Sequence, residues 1–336
     1  MTKKLPTPTP QSLPSSWKGF NLLNMFYVGG GHSDKPFEEE DFKIMSEWGF
    51  NFARIPMDYR ILIKQNDWNI MDEKSVMRLD KAIEYGNKYN VHINLNLHRA
   101  PGFSVAQPAE KTNLWTDSEP QEAFAKMWAY FAKRYIDIQN EHLSFNFVNE
   151  PTQVSEDAYT AVIKKAADAI REIDPNRVLI ADGLEYGQYP SNMIKELGIA
   201  QATRGYFPHT VSHFKANWVE GADKYPVPAW PDDPSSMNKN WLWESFVKPW
   251  VDLKNSGCGV MVGEWGCHNK TPHGVVLNWM EDNLQNFKEA GFGWALWNLN
   301  GSFGVFGSGR EDIEYENIYG RKLDRKMLSL LMQYMV

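Results

Sequence analysis

The stretch SFNFVNEP, residues 144–151, begins as an apolar strand and ends on Asn149, Glu150 and a proline. Phe and Val suit a buried pleated strand, whereas a carboxylate is seldom buried without a partner. The rest of the chain explains why one stands there. Short apolar runs of the same kind recur as WKGFNLL (17–23), NFARIPM (51–57), VHINLNLH (91–98), LSFNFVNE (143–150), RVLIADG (177–183), ATRGYFP (202–208), GVMVGEWG (259–266) and FGWALWNL (292–299).

Amphipathic helical patterns separate these runs. In EDAYTAVIKKAADAIREID (156–174) Tyr159, Val162, Ile163, Ala166, Ala169, Ile170 and Ile173 recur at helical spacing, with Ser155 as cap and Asp174-Pro175 as terminator. EEEDFKIMSEWG, DEKSVMRLDKAIEYGNKYN, EPQEAFAKMWAYFAKRYI, SNMIKELG, NWLWESFVKPWVDLK, GVVLNWMEDNLQNFKEAG and DRKMLSLLMQYM read the same way. Eight strands each followed by a helix predict an α/β fold, a single-domain (β/α)8 barrel over residues 17–336 preceded by a flexible Pro/Thr/Ser-rich leader over 1–16. The connections after strands one, three, six and eight are long. They belong to the C-terminal face of such a barrel, where active sites are built, and they carry Trp115, Trp218 and Trp230.

Composition narrows the chemistry. Of 336 residues, 43% are hydrophobic and 23% charged, which excludes a disordered chain, and a net charge of −7 argues against nucleic acid or an anionic membrane as partner. The 14 Trp exceed what core packing asks for, so some rings are expected to face a ligand. Cys258 and Cys267 bracket a strand that would hold them roughly 30 Å apart, so they are expected as free thiols. MTKKLPTPTPQ lacks the apolar stretch of a secretory signal; secretion would require a signal already removed, and the chain is otherwise cytoplasmic.

The strand ends form a set: Arg54 from strand two, His98 from three, Asn149 and Glu150 from four, Tyr206 from six, Glu264 from seven and Trp297 from eight. One strand-end carboxylate could be a cap or an ion-pair partner. Two glutamates with Arg, His, Asn and Tyr beside them have the make-up of a catalytic site. Around His98, His209, His213 and His268 there is no H-x-H or H-E-x-x-H motif and no His/Asp cluster with ligand spacing, so neither a metal nor another cofactor is expected. The glycines at 301, 304, 307 and 309 would suit a phosphate loop, but Phe303 and Phe306 among them suggest packing instead.

RIPM, LNLH, NEP, GEWG and WALWNL, in this order and at barrel spacing, resemble glycoside hydrolase family 5, the cellulase-like retaining β-glycosidases. The resemblance runs from KGFNLLN to GSFGVFGSGRED. It implies a β-linked oligo- or polysaccharide as substrate, Glu150 as acid/base and Glu264 as nucleophile, with Arg54 facing Glu264 and Asn149 bonding the sugar 2-OH. His98 would hold the sugar or Arg54, and Trp297 would floor the subsite. Physically, the acid must keep a raised pKa, which burial beside a negative Glu264 supplies. An exo-acting β-glycosidase, a β-mannosidase or mannanase, and an inactive carbohydrate-binding barrel are the alternatives.

Two positions depart from the family pattern. Arg204 stands where His of His-x-Tyr is common, with Tyr206 in the Tyr place; Arg204 is expected as a structural ion pair, Tyr206 as a partner of Glu264, and His209 or His213 as the replacement sugar contact. Gly307 stands where relatives often carry Asp.

Overall fold

The computed structural model describes residues 11–29, 35–231 and 236–335. Residues 1–10 of the expected leader and 232–235 of the loop after the sixth strand lie outside the described residues.

Eight parallel strands close into one barrel in sequence order: β1 (Lys18–Asn21), β2 (Phe52–Asp58), β3 (His92–Arg99), β4 (Leu143–Val148), β5 (Leu179–Asp182), β6 (Ala200–Gly205), β7 (Val260–Trp265) and β8 (Gly293–Leu296). The last pairs with the first through Lys18 opposite Trp294. The main helices around it are α1 (Glu39–Glu47), α2 (Glu73–Tyr89), α3 (Ser118–Arg134), α4 (Glu156–Arg171), α5 (Asn192–Glu196), α6 (Lys248–Asn255), α7 (His273–Ala290) and α8 (Arg325–Gln333). This is the single-domain (β/α)8 barrel that the alternating pattern predicts. Ser155 caps α4 by accepting the Ala158 N–H at 3.3 Å, although the helix ends at Arg171, short of Asp174. Two small hairpins, Ile63–Lys64 with Asp67–Met71 and Glu316–Ile318 with Arg321–Leu323, were not anticipated from the sequence.

Side chains alternate along each strand with period two. On β3, Ile93, Leu95 and Leu97 join the apolar layer beneath the helices, and His92, Asn94, Asn96 and His98 take the other face. The barrel interior therefore has two halves. Its lower end is apolar, filled by Phe52, Ile180, Ala200, Ala202, Met261 and Ala295 and closed by Trp17, whose ring stacks on His92 at 4.0 Å. Its upper end is polar, with Asn21, Arg54, Asn96, Asn146, Asp182, Arg204 and Glu264 all buried.

The chain ahead of β1 differs from the expected leader from Gln11 onward. The Gln11 side chain donates to the Arg177 carbonyl at 2.9 Å and accepts from the Leu179 N–H at 2.8 Å, and its carbonyl accepts from Gly259 at 2.7 Å. Leu13 packs on the apolar cluster at the barrel floor. Hydrogen bonding beneath the strands thus recruits a segment whose Pro/Thr/Ser composition read as linker. Cys258 and Cys267 are both buried free thiols, with burial raising the Cys258 pKa to about 11. Among the described residues no helix is long and apolar enough to cross a membrane.

Gly19 shows how closely the strands pack, since a Cβ there would fall 1.7 Å from the Phe52 carbonyl oxygen of β2. Backbone cannot yield to that overlap as a side-chain tip could. Gly19→Ala is expected to cost more than about 3 kcal/mol, read as a collapse of soluble yield or a large drop in melting temperature; an unchanged melt would contradict the strand spacing.

Candidate active site

The polar half of the barrel is organised around two guanidiniums. Arg54, on β2, donates from Nη1 to Glu264 Oε1 at 2.5 Å and to Asn21 Oδ1 at 3.0 Å, from Nε to Asn146 Oδ1 at 3.0 Å, and from Nη2 to Asn149 Oδ1 at 2.9 Å. Arg204, on β6, donates from Nε to Glu150 Oε1 at 2.9 Å and from Nη2 to Asn149 Oδ1 at 2.9 Å and to Asp182 Oδ2. The same Nη2 lies 3.2 Å from Glu264 Oε1. One planar group therefore touches both glutamates, which brings the ends of β4 and β7 together within the span of a single guanidinium and its hydrogen bonds.

Local backbone irregularities aim these side chains. The pairing of β6 with β7 shifts register between Thr203 and Arg204, setting Arg204 opposite Glu264, and the β3–β4 pairing shifts between Asn96 and Leu97. Such bulges re-aim side chains next to active sites. Glu150, just beyond β4, has φ 51, a left-handed conformation uncommon for a residue with a side chain, and its N–H donates to Asp182 Oδ2 at 2.9 Å.

Charge balance follows from the contacts. Asp182, Glu150 and Glu264 face Arg54 and Arg204, so the cluster is neutral only if one carboxyl keeps its proton. Glu150 keeps it: burial first and the negative Glu264 second push its pKa up to about 7, against the opposing pull of Arg204. His98 adds no charge, because burial, then Arg54 and Arg204, hold its pKa well below the usual imidazole range. Burial works against the charge on Arg204, and Asp182, Glu264 and Glu150 more than offset it, so its pKa rises.

Above the cluster opens a cavity of about 650 Å³, lined by Glu150, Glu264, Tyr206, His98 and Trp297 and walled by Phe26, His213, Trp218 and Phe303. Tyr206 donates to Glu264 Oε2 at 3.2 Å, as expected. The His98 ring meets Phe26 edge-on at 4.5 Å and leans on Trp297 at 5.5 Å, and its Nδ1 has no partner. Trp297 stands one residue past β8, tied by its N–H to the Trp265 carbonyl at 2.7 Å. Asn149 is oriented without ambiguity, since both arginines can only donate to it and its oxygen must face them. Its buried Nδ2 is left without a protein partner.

Some expectations fail here. His209 does not reach the cavity wall; it opens the short helix His209–Ser212 and stacks on Phe207 at 4.6 Å, which in turn stacks on Phe246 at 4.2 Å. That apolar face holds the imidazole back, and His213, one turn later, lines the cavity instead. Of the three loop tryptophans only Trp218 faces the cavity: Trp115 is packed against Phe103 and Tyr159, and Trp230 is buried with its indole N–H on Asp282. Arg204 is an ion pair inside the barrel, as expected, but one that engages both glutamates rather than a remote structural partner. Asp182 was overlooked, although RVLIADG places it at a strand end like the others, and so were the inward asparagines at 21, 96 and 146, which FNLL, INLNL and SFNF display at alternate positions. Among the described residues no group of three or more His, Cys, Asp or Glu has the geometry to hold a metal ion.

The model of the cellulase family, glycosyl hydrolase family 5, matches residues 11–303. The chain belongs to glycosyl hydrolase family 5. Among its family relatives, Endoglucanase C of Acetivibrio thermocellus is 27% identical over 322 residues, covering 87% of this chain and 93% of the relative. Cellodextrinase A of Ruminococcus flavefaciens is 24% identical over 287 residues, 81% of this chain and 80% of the relative. A crystal structure described as a glycoside hydrolase superposes with a TM-score of 0.89 at 37% identity, over 95% of this chain and 99% of the other. Thermotoga maritima Cel5A, crystallised with mannotriose, shares the fold with a TM-score of 0.77 at 21% identity, over 94% and 98% of the two chains. The chain is thus a glycosidase of the cellulase type.

The proton held on Glu150 has a consequence for stability. With a folded pKa near 7 against an ordinary value of 4.5, the native state binds more protons than the unfolded chain between those values, so stability is lost as pH rises through that window. Glu150→Gln removes the effect. At pH 8 the variant is expected to be more stable than the parent by on the order of 1–3 kcal/mol, with the gap closing at pH 5, as measured by denaturant unfolding; a gap independent of pH would contradict the assignment.

Proposed function

We propose that this family 5 enzyme hydrolyses β-linked glucan or its oligosaccharides with net retention, Glu264 acting as nucleophile and Glu150 as acid/base. The observation that carries the reading is the unequal setting of two carboxyls at one cavity: Glu264 receives Arg54 at 2.5 Å, while Glu150 holds a proton up to about pH 7. Retaining glycosidases need this pairing, one carboxylate to attack the anomeric carbon and one acid to protonate the departing oxygen.

In the first step a Glu264 oxygen bonds to the anomeric carbon as the glycosidic C–O bond breaks and the Glu150 proton passes to the leaving oxygen. In the second, water bonds to that carbon, Glu150 takes its proton, and the bond to Glu264 breaks. Arg54 and Tyr206 orient Glu264 for attack. Asn149, whose oxygen both arginines hold beside Glu150, is the residue that the family resemblance assigns to the sugar 2-OH, a contact that tightens in the transition state. Trp297 and His98 would pack against the sugar ring, with His98 neutral.

The volume of about 650 Å³ falls within the usual range for ligand pockets, and the names of the relatives, endoglucanase and cellodextrinase, favour β-glucan chains as substrate. A polymeric glucan would require export of the enzyme, whereas cellodextrins would not. Product profiles on carboxymethylcellulose, cellotetraose and mannan test the substrate class; turnover of mannan alone would overturn it.

On an aryl β-cellobioside, kcat/KM is expected to fall as pH rises through about 7, where Glu150 loses its proton. Glu150→Ala should lose about 10²–10⁴-fold on a substrate with a poor leaving group, and Glu264→Ala should be inactive, with chelator changing nothing in the parent. Proton NMR of the first-formed sugar reads the stereochemistry, and an inverted product would reject the mechanism.

A further inference from the structure

We propose that Arg204 and Asp182 form a clamp that holds Glu150 in its reactive pose, which makes Arg204 a positioning residue for proton transfer. The inference rests on the reading of Glu150 as acid/base. It starts from the space made for Arg204. A Cβ on Gly263 would sit 2.9 Å from Arg204 Nη1, and one on Gly187, where φ is +76, would sit 2.8 Å from its Cγ. A free arginine tip could move aside, but this one is pinned: Nη1 donates to the Thr203 carbonyl at 3.2 Å, Nε to Glu150, and Nη2 to Asp182 and Asn149. Gly263 thus borders the guanidinium, and Gly187 the aliphatic stem, of a side chain that is fixed in place.

The clamp grips Glu150 twice. Asp182, fully buried, accepts the Glu150 N–H at 2.9 Å and is itself steadied by Asn146 Nδ2 at 3.0 Å. That bond holds the left-handed backbone at Glu150, a conformation that costs of the order of 1–3 kcal/mol and persists only when its surroundings over-determine it. Arg204 grips the other end, the side chain, through Oε1. The salt bridge between Arg204 and Asp182 joins the two grips into one unit.

The chemistry follows from what an arginine can do. A guanidinium only donates and does not give up its proton at working pH, so Oε1 stays an acceptor. The carboxylic proton of Glu150 must then sit on Oε2, which has no protein partner among the described residues, in a side chain that lines the cavity. Arg204 selects the oxygen that faces the substrate. The groups facing Glu150 are Asn149 beside it, Asp182 from β5, Arg204 from β6, Tyr206 one residue past β6 and Glu264 from β7. When the proton leaves with the aglycone, Glu150 becomes negative as Glu264 becomes a neutral ester. Arg204 touches both, so the charge it balances is unchanged through the reaction.

The test compares kcat/KM on two β-cellobiosides, one with a 2,4-dinitrophenyl leaving group that departs without a proton and one with a phenyl group that needs it. Arg204→Lys keeps the charge and loses the planar fork, and the double variant Arg204→Gln with Asp182→Asn keeps the net charge and removes the salt bridge, with thermal melts confirming that each folds. Both are expected to lose at least a hundredfold on the phenyl glycoside and less than tenfold on the dinitrophenyl one. A purely structural ion pair would lower both substrates together, and equal losses, or no loss on either, overturn the clamp. Glu150→Ala in the same assay separates the two claims: if it too fails to spare the dinitrophenyl substrate, the acid/base reading fails first, and if it spares that substrate while the Arg204 variants do not, the clamp alone fails.

Discussion

Two guanidiniums and three carboxyls share the polar end of the barrel interior, and the charges there come to zero only if one proton stays. Burying an unpaired ion is far more costly than burying a paired one, so this constraint reaches every group in the cluster. Arg54 is committed to Glu264, Arg204 to Asp182 and Glu150, and Asn149 bridges the two arginines through one oxygen. The retained proton falls to Glu150, which pairs with Arg204 alone while Asp182 and Glu264 each lie within reach of both arginines, and whose pKa burial and the negative Glu264 push up to about 7. An acid and a nucleophile thus emerge from residues of the same type, separated by their partners.

The barrel makes such a cluster tolerable. Closing eight strands turns every second side chain toward one axis, and the lower half of that axis is filled with Phe, Ile, Ala and Met over a Trp17 plug. That apolar floor lies beneath the polar half, which opens toward the cavity holding both glutamates. Strand register does the fine aiming: the shift that sets Arg204 opposite Glu264 coincides with Gly263, a residue with no side chain to compete for that space. Asparagines at 21, 96 and 146 then use amide groups to orient charges without adding any, with Asn146 joining Arg54, Asn96 and Asp182 in one chain of hydrogen bonds.

The cavity walls follow a different logic. Phe26, Trp218 and Phe303 come from loops on the C-terminal face, and they give the site flat apolar surfaces beside the carboxyls. Sugar rings offer C–H faces to such surfaces and hydroxyls to polar tips, which suits aromatic residues that carry both. Trp115 and Trp230 resemble Trp218 in sequence setting, yet they pack inward and stabilise the loops from which the wall is built.

Eight apolar runs between amphipathic helices determined the fold, because strand and helix periodicities are local properties of the chain. GEWG and NEP likewise located both glutamates, since a strand's last residues stand at the barrel mouth whatever else the strand does. The partners were not legible in this way. Arg204 read as a departure from a pattern, Asp182 went unnoticed at the end of RVLIADG, and His209 was favoured equally with His213. Gln11 belonged by composition to a linker, yet hydrogen bonds to strand ends some 168 and 248 residues further on tie it under the barrel. Sequence specifies which side chains reach an end and a face; which of them then touch depends on register shifts, on left-handed turns at Glu150 and Gly187, and on a shared balance of charge, all of which exist only once distant strands have closed into a ring.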